Sequence, residues 1–218
     1  VCEPSSASSE EVSITTQETS ILDSMALYGM TDEDLEQMYQ EVILDAARDP
    51  HGKTHLGVSE TGSDGNTTLA VAHEYCVPAQ SHQFNPTCGD EVTVHVEVSD
   101  GTDGNPPRIQ RLVWDGQGCS ISQASLSVMV DLIEHKTVDE AMKVAQDFHT
   151  LMDSRGKGMP EDFDDEALGD AVVFQGVSRY PMRIKCALLG WEGMKASVAQ
   201  ALSALESKPA AVLQTKGR

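Results

Sequence analysis

The sequence predicts an α+β domain, a small antiparallel β-sheet packed against several α-helices, and three observations predict it. Valines at every second position from Val92 to Val98 mark a strand with one buried face. A Gly- and Pro-rich turn holding Gly101 and Gly104 returns the chain at Arg108 into a second strand, making an antiparallel hairpin. Helical periodicity then takes over, so the helices gather after the strands instead of alternating with them. The sheet is expected to be covered on one face.

The elements follow in order. Residues 1–30 are rich in Ser, Thr and Glu with little periodicity, the composition of a disordered extension, with Ile21 to Tyr28 docking locally. Thr31 and Asp34 have the spacing of a capping box, and Leu35, Met38, Tyr39, Val42, Ile43 and Ala46 follow as one helical apolar stripe. Asp49-Pro50-His51-Gly52 ends that helix. His51 to His82 is polar and Gly-rich, with a short strand expected only at Thr68 to Ala72. After the hairpin, a helix starts near Cys119 or Ser120. Thr137 with Glu140 caps another helix running to about Phe148. Ala167 to Gln175 reads as a short helix, and Pro181 opens a final long one, since proline suits a first helical turn. The domain therefore spans residues 31–207, with a C-terminal tail at 208–218.

Charge narrows the function. The chain has 218 residues, 35 of them acidic and 15 basic, for a net charge of -20. Nucleic-acid binding needs clustered Lys and Arg, and an anionic membrane surface asks for the same, so neither partner fits. No stretch has the length of a membrane span and no charged-then-apolar leader opens the chain. The expectation is a soluble, cytoplasmic protein.

Five cysteines occur: Cys2, Cys76, Cys88, Cys119 and Cys186. An odd number in a chain of this size argues against a disulfide framework and towards metal-binding or catalytic thiols. Cys88 precedes a strand, Cys119 sits at a strand-to-helix turn, and Cys186 lies in the first turns of a helix. Helix N-termini favour negative charge, which would ease ionisation of Cys119 and Cys186. Gly89 has the backbone freedom to let Cys88 and Asp90 face one centre. Three thiolates and one carboxylate would make a four-ligand site in which the harder oxygen sits uneasily among soft sulfurs, as suits ligand exchange. A free cysteine is also commonly a small buried apolar residue, so spacing leaves both readings open. Cys76, without flanking glycines, fits the buried one, and Cys2 lies in the extension. His95 alternates with the valines and is expected to face solvent. The sequence assigns no histidine to a cysteine as base and nucleophile, which leaves a Cys-His hydrolase as an open alternative.

Four motifs carry a family resemblance: "YQEVILDAARDP", "NPTCGDEV", "GQGCSISQAS" and "YPMRIKCALLGW". In this order they resemble the SufU proteins of the wider IscU/NifU-like group, from about Asp32 to about Gln200. The resemblance implies one zinc held by Cys88, Asp90, Cys119 and Cys186. It implies a sulfurtransferase that accepts persulfide sulfur from a SufS-type cysteine desulfurase for iron–sulfur cluster assembly, passing it to downstream Suf proteins. Cys88 is then the persulfide acceptor and Arg183 a supporting residue. IscU-type scaffolds have a histidine immediately before the last cysteine, where this chain has Lys185. SufU proteins carry an extra segment between the second and third cysteines, which "MPEDFDDEALGDAVVFQGVSRYP" resembles. The alternative is an IscU-like scaffold that uses the same ligands to build a labile [2Fe–2S] cluster.

Overall fold

The computed structural model describes residues 31–56, 76–101, 104–157 and 165–207. Helix α1 (Asp32–Arg48) is followed by strands β1 (Cys76–Asn85), β2 (Asp90–Ser99) and β3 (Ile109–Gln117). Then come α2 (Ser120–Ile133), α3 (Val138–Asp153), two 3-10 segments (Asp165–Gln175 and Val177–Arg179) and α4 (Pro181–Ser207). The chain divides into two compact units, Val1–Leu35 and Glu36–Arg218. In the first, the Thr31 N–H donates to the Asp34 carboxylate at 2.9 Å and the Asp34 N–H donates back to the Thr31 hydroxyl at 3.2 Å, the reciprocal cap its sequence predicts. Residues 1–30, Thr68 to Ala72 and 208–218 lie outside the described residues, so the expectations placed there stand as expectations.

In the second unit the strands form an antiparallel sheet in the order β1-β2-β3. β1 corrects the sequence reading, which left Cys76 to His82 in a polar segment. It pairs with β2 over its whole length, from Cys76 opposite Ser99 to Asn85 opposite Asp90. Polar residues alternate along it, so pairing to its neighbour, not its own apolar pattern, makes it a strand. Pro78 is tolerated because β1 is an edge.

Val92, Val94, Val96 and Val98 are all buried, and α4 lies against their face. The approach is close: a side chain at Gly193 would meet the Val94 side chain at 2.9 Å, and the Ser197 hydroxyl donates to the Val94 carbonyl at 3.0 Å. Gly190 has no room for a side chain against Leu126 of α2. A buried polar thread joins the same helices, with Trp191 Nε1 donating to Ser125 Oγ at 3.0 Å and Ser125 Oγ donating to the Ala187 carbonyl at 2.7 Å. Trp191 also stacks on Phe148 of α3, ring centroids 4.5 Å apart. The Thr137–Glu140 capping box opens α3 as the sequence predicts.

The opposite sheet face corrects a second expectation. His95 points away from the valines, as alternation requires, yet it is only 3% exposed, and Glu97 beside it is fully buried. That face is covered too. Burial pushes the His95 imidazole below its ordinary value, against the pull of Glu97, while Arg111 pairs with Glu97 at 3.3 Å. Two smaller differences concern helices. Only Ile43 of the α1 stripe is buried, with Met38 and Val42 exposed. The Ala167 to Gln175 helix is a 3-10 segment from Asp165, broken at Gly169, where φ is +44°. Among the described residues no helix is long and apolar enough to cross a membrane.

Candidate metal centre

The β1–β2 connection builds the first half of the centre. Asn85 ends β1, only 5% exposed, and its side-chain oxygen accepts from the Thr87 N–H at 3.1 Å. The Gly89 N–H returns to the Asn85 carbonyl at 2.9 Å, closing a tight turn. Gly89 completes it with φ +77°, a conformation that disfavours any residue with a Cβ. Cys88 is therefore carried exposed at the tip of the turn, while Asp90, one residue beyond, starts β2 and is 3% exposed. The glycine between them reverses the chain enough to put both on one centre.

Two further elements supply the rest. Cys119 occupies the N-cap position of α2, and its backbone N–H donates to Asp90 Oδ1 at 3.1 Å while its thiol lies 3.4 Å from Asp90 Oδ2. Cys186 lies past the first turn of α4, 6% exposed. Its sulfur is 3.3 Å from that of Cys88 and receives the Asn85 side-chain N–H at 3.8 Å. Ligand atoms of Cys88, Asp90 and Cys186 all lie within 4.8 Å of one another. Cys119 joins this trio through Asp90. Thus the structure gathers all four residues that the sequence singled out, three as a mutual cluster and the fourth beside it.

Arg183 stands one turn before Cys186, and its guanidinium stacks on the Tyr180 ring at 4.5 Å. Lys185 is exposed, and Cys76, at the far end of β1, is half-buried. Asn85 is the residue that sequence reasoning passed over. Its signal was the Asn-Pro pair ahead of the cysteine, a turn former whose amide here also reaches a sulfur.

The electrostatics correct one further expectation. Burial first, then hydrogen bonding to Cys88 and Asp90 and the nearby negative charge, push the Cys186 thiol far above the value of a free cysteine. Past the first turn the helix N–H groups are already paired, so the predicted easing of ionisation is lost to burial. Burial also works to raise the Asp90 carboxyl. There, hydrogen bonds from the Cys88 and Cys186 thiols and from the Cys119 N–H and thiol outweigh it and hold the carboxyl below its usual value.

These shifts predict a pH dependence for the metal-free protein. A free thiol ionises near pH ~8.5, so above that the unfolded chain releases the Cys186 proton while the folded chain keeps it. The stability from this thiol is complete below pH ~8.5 and declines as pH rises further. Asp90 acts at the other end: its contribution is present above pH ~3.9 and is lost as pH falls through the depressed folded value. Urea melts from neutral to alkaline pH should show the falling limb in wild type and a flatter one in Cys186→Ala. Parallel limbs would show that Cys186 does not set it.

Gly118 gives a second prediction. A side chain there would meet Ser122 Oγ and, at 2.9 Å, the Asp90 carboxyl carbon. Gly118→Ala should therefore displace Asp90 and weaken metal binding by about 10–100-fold, the range seen when residues that orient ligands are disturbed. Zinc competition against a chromophoric chelator measures this, and unchanged affinity would show that Asp90 has room to yield.

Comparison with known proteins fits this arrangement. The family described as NifU-like N terminal domain matches residues 38–187. The zinc-dependent sulfurtransferase SufU of Bacillus subtilis (strain 168) is 32% identical over 166 residues, covering 76% of this chain and 92% of that protein. The iron–sulfur cluster assembly scaffold protein IscU of Streptococcus pyogenes is 28% identical over 170 residues, covering 78% and 88%. The crystal structure of FiSufU from Fervidobacterium islandicum AW-1 superposes with a TM-score of 0.51 at 30% identity, over 75% of this chain and 98% of that one. With its three-stranded antiparallel sheet, flanking helices and clustered cysteines, the chain belongs to the NifU-like N-terminal domain family, which it shares with the SufU and IscU proteins.

Proposed function

We propose that the protein is a zinc-dependent sulfurtransferase that accepts persulfide sulfur from a SufS-type cysteine desulfurase for iron–sulfur cluster assembly. The observation that carries this reading is the exposure of Cys88 on a glycine turn, touching a buried Cys186 and facing Asp90. The donor set fits zinc, which accepts both sulfur and carboxylate oxygen, whereas hard cations such as Mg2+ and Ca2+ avoid thiolates. At zinc–sulfur bond lengths near 2.3 Å, sulfurs around a tetrahedral ion stand about 3.8 Å apart. The observed 3.3 Å is slightly contracted and needs only a small opening. Cys119, exposed beside Asp90, turns towards the trio to complete four ligands. Zinc, when bound, holds thiolates without redox chemistry and tolerates their exchange.

In the transfer, the Cys88 thiolate attacks the terminal sulfur of the donor persulfide. The bond between the donor cysteine and that sulfur breaks, a bond from Cys88 to it forms, and the donor cysteine leaves as a thiolate. No electrons enter or leave the pair. Asp90 and the buried Cys186 stay in place while Cys88, on its turn, swings out. Arg183, one turn before Cys186, is the supporting residue and would offer positive charge to the persulfide anion.

The scaffold reading, in which these ligands assemble a [2Fe–2S] cluster as cargo, draws support from the IscU relatives. Lys185, where IscU-type scaffolds carry histidine, favours transfer. Metal analysis of anaerobically purified protein, then peptide mass mapping after mixing with a cysteine desulfurase and cysteine, separates them. Stoichiometric zinc with added sulfur on Cys88 supports transfer. Iron with acid-labile sulfide overturns it in favour of the scaffold.

A further inference from the structure

We propose that Cys88 and Cys186 form a redox pair, which an organic disulfide closes into an intramolecular bridge when the centre holds no metal. Their sulfurs stand 3.3 Å apart, and a disulfide bond is about 2.0 Å long, so closure asks for little more than 1 Å of travel. The travel falls to Cys88. Cys186 is fixed on a helix packed against the sheet, whereas the Cys88 turn projects outward and the space around Gly89 is open.

Exposure sets the order of events. Cys88 is exposed and meets the oxidant first, while Cys186 is 6% exposed and reached chiefly through Cys88. The Cys88 thiolate attacks one sulfur of the small disulfide, forming a mixed disulfide and releasing one small thiolate. Cys186 then attacks the Cys88 sulfur, its proton passing to the second small thiolate as that group leaves. The two protein thiols are oxidised by two electrons, and the small disulfide is reduced to two thiols. The other described cysteines are worse placed. The Cys119 sulfur is turned to Asp90 Oδ2 and, at 3.8 Å, to Ser122 Oγ, and Cys76 is at the opposite end of β1.

The bridge stands on sulfur geometry alone. Its consequence, removal of two ligands and of the sulfur acceptor together, rests on the proposed function, and one experiment separates the two. The full-length chain, stripped of metal by a chelator and freed of reductant, is treated with oxidised glutathione and mapped by peptide mass spectrometry without reduction. A zinc-loaded sample and a metal-free Cys119→Ala sample run in parallel. The expected result is a Cys88–Cys186 bridge in the metal-free chain and in Cys119→Ala, together with loss of zinc uptake until a reductant is added. A persistent glutathione adduct on Cys88, or a bridge to Cys119, Cys76 or a second chain, overturns the pairing. A bridge that forms equally fast with zinc present leaves the pair standing and overturns the ligand assignment.

Discussion

Cys88→Ala should accept no sulfur from a cysteine desulfurase, while the wild-type chain should gain sulfur at that position alone. The expectation follows from access. Among the described cysteines Cys88 and Cys119 are exposed, Cys76 is half-buried and Cys186 is buried. Cys119 stands at the N-cap position of α2 with its thiol on Asp90 Oδ2, whereas Cys88 stands on a projecting turn where its sulfur touches that of Cys186. Cys88 alone combines exposure with a place on a projecting glycine turn. A donor persulfide must be met by a sulfur that can leave the cluster and return, which suits Cys88 on its projecting turn better than Cys186, buried on a packed helix. The measurement is peptide mapping after a short reaction with desulfurase and cysteine, under conditions that keep persulfides intact. Wild-type levels of added sulfur in Cys88→Ala, carried on Cys119 or elsewhere, would remove Cys88 from its role. Cys119→Ala should still accept sulfur at Cys88, which distinguishes loss of the acceptor from general damage to the centre.

The second large effect is on stability. Trp191→Ala should cost about 3–5 kcal/mol, the range for deleting a large buried aromatic side chain. Trp191 is 1% exposed, stacks on Phe148, and donates to Ser125 Oγ in the thread joining α2 to α4. Its removal opens a cavity between three helices and strips the Ser125 oxygen of a donor. Against a typical total of about 5–15 kcal/mol, the loss is a large share of the protein's stability. Trp191→Phe keeps the ring contact and loses chiefly the hydrogen bond, for about 1–2 kcal/mol beyond any packing change. Urea denaturation of both variants measures the difference, and a cost for Trp191→Ala below about 1 kcal/mol would mean that the helices close over the gap. Because Trp191 lies on the helix that carries Cys186, the alanine variant should also bind zinc more weakly while still folded.

These sites show where the sequence was readable. The alternation from Val92 to Val98 found β2 because its buried face is made of valine, and Pro181 with the Thr137–Glu140 pair marked helix starts because capping is local chemistry. β1 escaped because its inward positions include Ser81, Gln83 and Asn85, residues whose place comes from the neighbouring strand. His95 was assigned the correct side of its strand but the wrong environment, since one strand's pattern cannot say what covers its far face. In the centre, residue type and flanking glycines picked out the four clustered residues. Asn85 stayed hidden because its task is to shape a turn. The rise in the Cys186 thiol was equally unreadable, because it depends on how deeply α4 is packed.

The distance between Cys88 and Cys186 along the chain, 98 residues, has a consequence for how the protein is made. Contacts between distant positions form late, since the intervening chain must first give up its freedom. On the ribosome, β1, β2 and their turn emerge well before α4, so Cys88 and Asp90 pass through a period with no partner from the last helix. A nascent chain therefore offers metals at most a fragment of the centre. The trio exists only after α4 has docked on the sheet, and competence to bind becomes a signal that α4 has been made and has docked.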